Sequence, residues 1–305
     1  MRAPILDWPG KSLGEAAAPA RALFALQVLL LLVMAGTVAT KVWQDHVWIG
    51  FVIVGATLVC WMPELAKPRA RRWWFAYVAG IFFYTLLRSY ADETVLPTRT
   101  MYPIDADKLI FLGTEPVVWL QEHLFSPDRV SLLDFFAVQV HWSFFIAPHL
   151  AAVLVFVWRR ELFPRYTVLV VGTMYIGLLL FFLLPTAPPW LAARAGALPE
   201  AFRVMDFVGG RVDGSTYRSV YQSLGEPNSV AAMPSIHMAV TFAMYLWTRD
   251  HHPRWAPWLL AYALVMGFSL IYLAEHYAID LLAGMGVAVL CHLASRRFVP
   301  VPQQS

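Results

Sequence analysis

The sequence predicts an all-α integral membrane protein of about eight transmembrane helices, and three observations carry that reading. Hydrophobic residues make up 59% of the 305-residue chain and charged residues only 14%, with a mean hydropathy of +0.57. A soluble domain does not carry that balance, so lipid must act as solvent. The apolar residues are also gathered into runs about long enough to cross a hydrocarbon core of roughly 30 Å as helices. Finally, basic residues crowd alternate connections, the signature of a chain threaded back and forth through a bilayer.

The runs fall at about 22–40, 46–63, 73–91, 132–158, 166–185, 233–249, 256–275 and 278–295. Arg2, Lys11 and Arg21 precede the first, and Thr37-Val38-Ala39 near its end has the outline of a cleavage site. A retained anchor is expected there rather than a removed signal. Lys67, Arg69, Arg71 and Arg72 crowd the second connection, Arg159, Arg160 and Arg165 the fourth, and Arg249 and Arg254 the sixth, while Arg296 and Arg297 follow the last run. With the three N-terminal basic residues these segments hold 14 of the 23 lysines and arginines. The positive-inside rule puts both termini in the cytoplasm and the intervening long connections outside, the two motifs described below included, in what reads as a plasma-membrane arrangement.

Those long connections span about 92–131 and 186–232. The first mixes apolar and charged residues around Asp105, Asp107, Lys108 and Trp119, as one short amphipathic helix in the interface would. The second is rich in turn formers, with Pro185-Thr186-Ala187-Pro188-Pro189-Trp190 at its start and Gly209, Gly210 and Gly214 further on. Many tryptophans, Trp43, Trp48, Trp73, Trp74, Trp255 and Trp258 among them, fall at run ends as interfacial belts. Cys60 and Cys291 lie inside apolar runs and read as packing residues. A net charge of +3 without a basic, aromatic-interleaved face excludes a nucleic-acid partner; the bilayer itself is the evident one.

Two short segments break the apolar pattern: Met233-Pro234-Ser235-Ile236-His237-Met238 and Glu275-His276-Tyr277-Ala278-Ile279-Asp280. Ionisable groups at membrane depth are costly, so a cluster of them marks a functional site. If the seventh run continues as a helix through His276, then His276 and Asp280 share a face with Cβ atoms about 5 to 6 Å apart. The carboxylate would then fix the imidazole tautomer and leave the other nitrogen free to attack. His237 follows Pro234-Ser235 at a helix start, where free backbone donors form an anion site. One histidine attacking phosphorus while the other protonates the leaving alkoxide gives a two-step displacement that needs no metal and no cofactor. A mononuclear zinc site built from His237, His276 and Asp280 is the alternative chemistry.

Pro234-Ser235-Ile236-His237 resembles the second motif, and Ser269 with His276 and Asp280 the third motif, of the type 2 phosphatidic acid phosphatase superfamily. The resemblance implies a six-helix catalytic core over 73–297, preceded by a cytoplasmic tail and two extra helices (1–72) and followed by a short tail (298–305). It further implies His276 as nucleophile, Asp280 as its partner, His237 as general acid and Ser235 as a phosphate contact. The family's first motif, a lysine followed by an arginine-proline pair, is absent, and Leu270 stands where the third-motif arginine is expected. That loss, together with Ala231-Ala232-Met233-Pro234-Ser235 and Glu275-His276-Tyr277, is similar to the inositol phosphorylceramide synthase-like branch and to sphingomyelin synthases. The implied activity is a lipid phosphotransferase or lipid phosphate phosphatase acting on a phospholipid, with an alcohol as the acceptor in transfer.

Another cation must then face the phosphate. Arg88, near the outer end of the third run, is the first candidate and Arg218 the second, with Arg99 behind them. His141 and His149 stand eight residues apart and would share one helical face, as structural histidines or as a polar lining. His251 and His252 read as a solvated loop pair. A non-catalytic lipid-binding scaffold of the same fold is the competing function; a transporter would need inverted repeats or broken midplane helices, and neither is visible in the sequence.

Overall fold

The computed structural model describes residues 68–88, 96–211 and 230–299, with residues 25, 28, 29 and 32 besides. The chain divides into two compact units, Met1–Phe75 and Ala76–Ser305. Of the first unit the four isolated residues are helical and outward-facing. The predicted run at 46–63, most of that at 22–40, and Arg218 lie outside the described residues.

Helix α1 (Pro68–Arg88) leads into the second unit. It is followed by α2 (Met101–Ile110), α3 (Pro116–Leu124), α4 (Leu132–Ser143) and α5 (Ala147–Trp158). A short 3-10 turn, Arg160–Leu162, joins α5 to α6 (Phe163–Leu183). Then come α7 (Pro189–Arg194), a helical segment over 204–211, α8 (Ile236–His251), α9 (Ala256–Tyr272) and α10 (Ala278–Phe298). Among the described residues there is no β-strand, only isolated bridges. Proline supplies many of the starts: α3, α5, α6, α7 and α9 each carry it in their first two positions, where its missing N–H costs nothing. At α4 a capping box does the same work, with Ser131 Oγ accepting from Asp134 N (3.1 Å) and Asp134 Oδ2 from Ser131 N (2.6 Å).

The stretch Arg160–Leu183 and α10 are each long and apolar enough to cross a membrane. So are α4 and α5 taken together, although they are bent by 46° at the break between them. The chain is an integral membrane protein. Hydropathy alone predicted six full crossings over the same region, and three local causes explain the difference. In α1 the arginines, tryptophans and tyrosines dilute the apolar run. The fourth run is interrupted because Pro148 cannot continue the ladder of α4 and restarts the chain as α5. Finally, α8 has 16 residues and α9 has 17, short of the roughly 20 that a full crossing takes. The single interfacial helix expected in the first long connection is in fact two, α2 and α3, because Leu112 and Gly113 both adopt positive φ between them.

At the centre of the second unit is α8, packed against α6, α9 and α10. Its residues Ala239, Val240 and Ala243 are fully buried, and Thr241 spends its hydroxyl on the His237 carbonyl at 2.8 Å. Small residues on the neighbours let the backbones close in. A Cβ on Gly284 of α10 would lie 2.4 Å from the Ser235 carbonyl oxygen, and one on Gly177 of α6 would lie 1.8 Å from Ile236 Cδ1. Both contacts are at the N-terminal end of α8, so the tightest packing in the bundle surrounds Ser235 and Ile236.

Candidate active site

The site forms where the N-termini of α8 and α10 meet. The expectation that the seventh run stays helical through His276 is overturned: α9 ends at Tyr272, Ala274 turns left-handed at φ 61°, and α10 starts at Ala278. His276 therefore precedes the cap of α10, and Asp280 sits in its first turn. The two still meet, by another route. Asp280 folds back to accept Tyr277 N at 2.9 Å, which turns the same oxygen, Oδ2, toward His276 Nδ1 at 3.4 Å.

A second acid completes the cap from a distance. Asp107 of α2, buried, accepts Ala278 N through Oδ2 and Ile279 N through Oδ1, both at 2.9 Å. Two carboxylates thus satisfy three consecutive amides that the helix itself leaves open, at the end where its dipole favours negative charge. Burial pushes the Asp107 carboxyl up to about 6, against the two amide bonds, which favour its ionised form. The sequence reading placed Asp107 in a solvated interfacial helix; its capping role depends on a partner 171 residues away and has no local signature.

His276 is 5% exposed and Asp280 fully buried. The nearer partner of His276 Nδ1 is the Ala232 carbonyl oxygen at 2.9 Å. A carbonyl only accepts, so Nδ1 carries the proton and Nε2 keeps a free lone pair. Ala232 is held in place by a small lacing of extended segments, in which Ala232 N donates to Thr186 O (3.2 Å) and Thr186 N to Val230 O (2.6 Å). On the other side of Thr186, Ala187 N donates to Arg99 O (3.0 Å) and Arg99 N to Pro185 O (2.8 Å). Arg99 is thus exposed beside this lacing, and its backbone is what engages it.

Ser235 caps α8, its Oγ accepting from Met238 N at 3.3 Å, while its own N–H donates to the Asp280 carbonyl at 3.0 Å. Pro234 stands just before this cap, outside the first helical turn that the sequence suggested for it. His237 lies one turn-position into α8, its ring centroid 5.7 Å from that of His276 at an interplanar angle of 61°. Phe144 packs on its other side at 4.4 Å, and its Nε2 is buried with no hydrogen-bond partner. His237, His276, Asp280 and Ser235 are therefore brought together. Arg88, the last residue of α1, stands close enough for its charge to act on His237.

One further ion pair borders the site, and the sequence reading missed it. Arg203 grips Glu275, the residue before His276, through Nε–Oε1 (2.8 Å) and Nη2–Oε2 (3.3 Å), and its guanidinium lies 4.5 Å above the Trp190 ring. Burial alone would raise the Glu275 carboxyl, but the Arg203 charge and hydrogen bonds, with the nearby His141 and His276, together outweigh it and hold the group below the usual glutamate range. With Trp190 N donating to the Ala274 carbonyl (3.2 Å), this pair fixes the turn that presents His276. His141 and His149 do not share a face, because the break before Pro148 separates them. His149 takes Tyr77 OH at 2.8 Å, whereas His141 turns toward His237. Among the described residues no group of three or more His, Cys, Asp or Glu stands where it could hold a metal ion.

The chain is 28% identical over 125 residues to an inositol phosphorylceramide synthase catalytic subunit of Schizosaccharomyces pombe, covering 40% of this chain and 30% of that protein. To the phosphoinositol dihydroceramide synthase of Bacteroides thetaiotaomicron it is 26% identical over 226 residues, 66% of this chain and 70% of the relative. The corresponding Saccharomyces cerevisiae synthase subunit matches at 28% over 202 residues, 64% of this chain and 49% of that one. The chain thus spans about a third to a half of the yeast proteins it matches and a larger share of the bacterial one. No solved structure matches it. The family model of the PAP2 superfamily matches residues 105–294, a span that includes both histidine motifs and Asp107. The chain belongs to the PAP2 superfamily, and the relatives it resembles there are named as inositol phosphorylceramide or phosphoinositol dihydroceramide synthases.

Proposed function

We propose that this chain is a membrane lipid phosphotransferase, able to hydrolyse when water replaces the acceptor, that works through a phosphohistidine at the extracytoplasmic face of the membrane. The observation that carries the reading is the state of His276. Its Nδ1 proton is committed to the Ala232 carbonyl, its Nε2 is free, and a second imidazole stands 5.7 Å away. One phosphorus centre between the two rings is within reach of both.

In the first step the Nε2 lone pair of His276 forms a bond to phosphorus as the bond from phosphorus to the leaving oxygen breaks. Protonated His237 gives its proton to that oxygen, so a neutral alcohol departs. In the second step neutral His237 takes the proton of an acceptor hydroxyl, the acceptor oxygen attacks phosphorus, and the phosphorus–nitrogen bond breaks to restore His276. Asp280 steadies the imidazolium-like charge on His276 in both steps. Ser235, whose oxygen accepts from Met238, keeps its hydroxyl proton for a phosphoryl oxygen. Arg88 supplies the cation that the missing first motif would have brought, with Arg218 as a second contributor.

Relatives named for making inositol phosphorylceramide and phosphoinositol dihydroceramide support transfer, with a phospholipid as donor and a lipid alcohol as acceptor. The core would be 73–297, with both termini cytoplasmic and the plasma membrane as the setting. The test is product analysis with purified protein in mixed micelles containing inositol phospholipids, lipid phosphates and candidate alcohol acceptors, under chelator, beside His276→Ala. Chelator-resistant turnover that disappears in the variant is expected, and acid-labile, base-stable labelling of the protein by a phosphorus-labelled donor would trap the intermediate. Turnover surviving in His276→Ala overturns the mechanism. Lipid binding without turnover in the wild-type protein would make it a scaffold.

A further inference from the structure

His141 takes no part in the chemistry above, yet the fold delivers it there. It lies in the last turn of α4, immediately before the break forced by Pro148, and is 6% exposed. Its ring centroid is 4.5 Å from that of His237, with an interplanar angle of 35°. The charges of Glu275, His276, Arg203 and Arg88 all act at its position, so it belongs to the same cluster as the two motif histidines. Phe144 and Phe145, from the break itself, close around His237 beside it.

The placement of its polar atoms is the informative feature. His141 Nδ1 is buried without a hydrogen-bond partner, and so is His237 Nε2 next to it. Buried hydrogen-bonding atoms in native proteins are overwhelmingly paired, and two open ones on touching rings call for a shared explanation. The fold is able to pair a buried imidazole nearby: His149 pairs with the Tyr77 hydroxyl, and His276 donates to the Ala232 carbonyl. A histidine kept only for packing would be replaced at no cost by phenylalanine, which already supplies the adjoining walls at Phe144 and Phe145.

Resting on the reaction proposed above, we propose that His141 is a third substrate-contacting histidine, whose Nδ1 hydrogen-bonds an oxygen of the phosphate-bearing headgroup while its ring packs against the general acid His237. The oxygen is either a phosphoryl oxygen or that of the departing or accepting alcohol, and the test separates the two.

The variants are His141→Phe, which keeps the ring and its packing but removes the polar atom, and His141→Asn, whose amide reproduces the position of Nδ1. Both are purified in micelles beside wild type and His276→Ala, and kcat, KM and inhibition by orthovanadate are measured. Loss of about tenfold or more in kcat/KM is expected for Phe, with substantial recovery in Asn. Weaker vanadate inhibition of the Phe variant assigns the phosphoryl oxygen; unchanged inhibition with the turnover loss assigns the alcohol oxygen. Packing alone predicts the opposite order, with Phe active and Asn impaired, and that result overturns the proposal. Should the Phe variant fail to fold by gel filtration, His141→Gln reads the same contact, since its amide reaches the Nε2 position. A loss relative to Asn supports the assignment and equality with Asn overturns it. If wild type neither turns over substrate nor responds to vanadate, the reaction itself is wrong and this inference falls with it. If wild type is active, His276→Ala dead and His141→Phe equal to wild type, this inference alone is wrong.

Discussion

At His276 one nitrogen has two acceptors, the Ala232 carbonyl at 2.9 Å and Asp280 Oδ2 at 3.4 Å. The shorter bond sets the tautomer, and the carboxylate adds charge more than direction. Asp280→Asn is therefore expected to lower kcat by on the order of 10²-fold while leaving measurable activity, because Ala232 still holds the Nδ1 proton. His276→Ala should abolish turnover. Equal losses in a kinetic comparison of the two would mean that Asp280, not the carbonyl, orients the ring. The pairing of His276 with Asp280 could be read from their spacing, but for a reason that does not hold: no helix joins them, and contact comes from a carboxylate folding back to cap. Ala232 was invisible for a different reason, since the acceptor is a main-chain oxygen that any residue would supply. Arg203 and Glu275 are 72 residues apart, and no periodicity links them.

The decisive element is the N-terminal turn of α10, which carries Asp280 and borrows Asp107 from α2. An acid whose folded value is raised to about 6 from 3.8 takes up its proton in the native state before the unfolded chain does. Its contribution to stability therefore grows as pH falls through about 6 toward 3.8 and is lost as pH rises. The difference in melting temperature between wild type and Asp107→Asn should accordingly shift in favour of wild type between pH 7.5 and pH 5. A pH-independent difference in thermal melts would show that Asp107 titrates normally. The approach of α10 to α8 offers a second check. Gly284→Ala would drive a methyl to 2.4 Å from the Ser235 carbonyl, and should cost about 1 to 3 kcal/mol and much of the activity. Gly286→Ala, two residues on and open to space, should fold and work normally, since alanine suits a helix better than glycine by about 1 kcal/mol. Helices α6 and α10 could be read directly from hydropathy. The division of the fourth run could not, because Pro148 stands in a stretch otherwise apolar enough to continue, and a window average does not register one missing N–H.

Across the whole molecule the charges are distributed in a way that gives the site a side. His237, His276 and Asp280 gather where α8 and α10 begin, while Arg249 and Asp250, and Arg296 and Arg297, lie where the same two helices end. There Asp250 Oδ2 accepts from both His292 Nε2 and Arg296 Nη1, each at 3.0 Å, tying the two far ends together. Parallel helices with their basic residues gathered at one end fit the proposed orientation, with that end in the cytoplasm and the histidines facing out. In that orientation the site would meet its lipid from the outer leaflet, with the apolar tails remaining in the bilayer. The orientation is testable in a Cys60→Ser background with single added cysteines, Ser126→Cys at a half-buried position between α3 and α4 and Arg254→Cys at an exposed one between α8 and α9, using a membrane-impermeant thiol reagent on intact cells; Cys291, being buried, gives little background. Cysteine at 126 should label at once and cysteine at 254 only after permeabilisation. The reverse pattern would place the histidines on the cytoplasmic side, where the same chemistry would draw its acceptor from the inner leaflet.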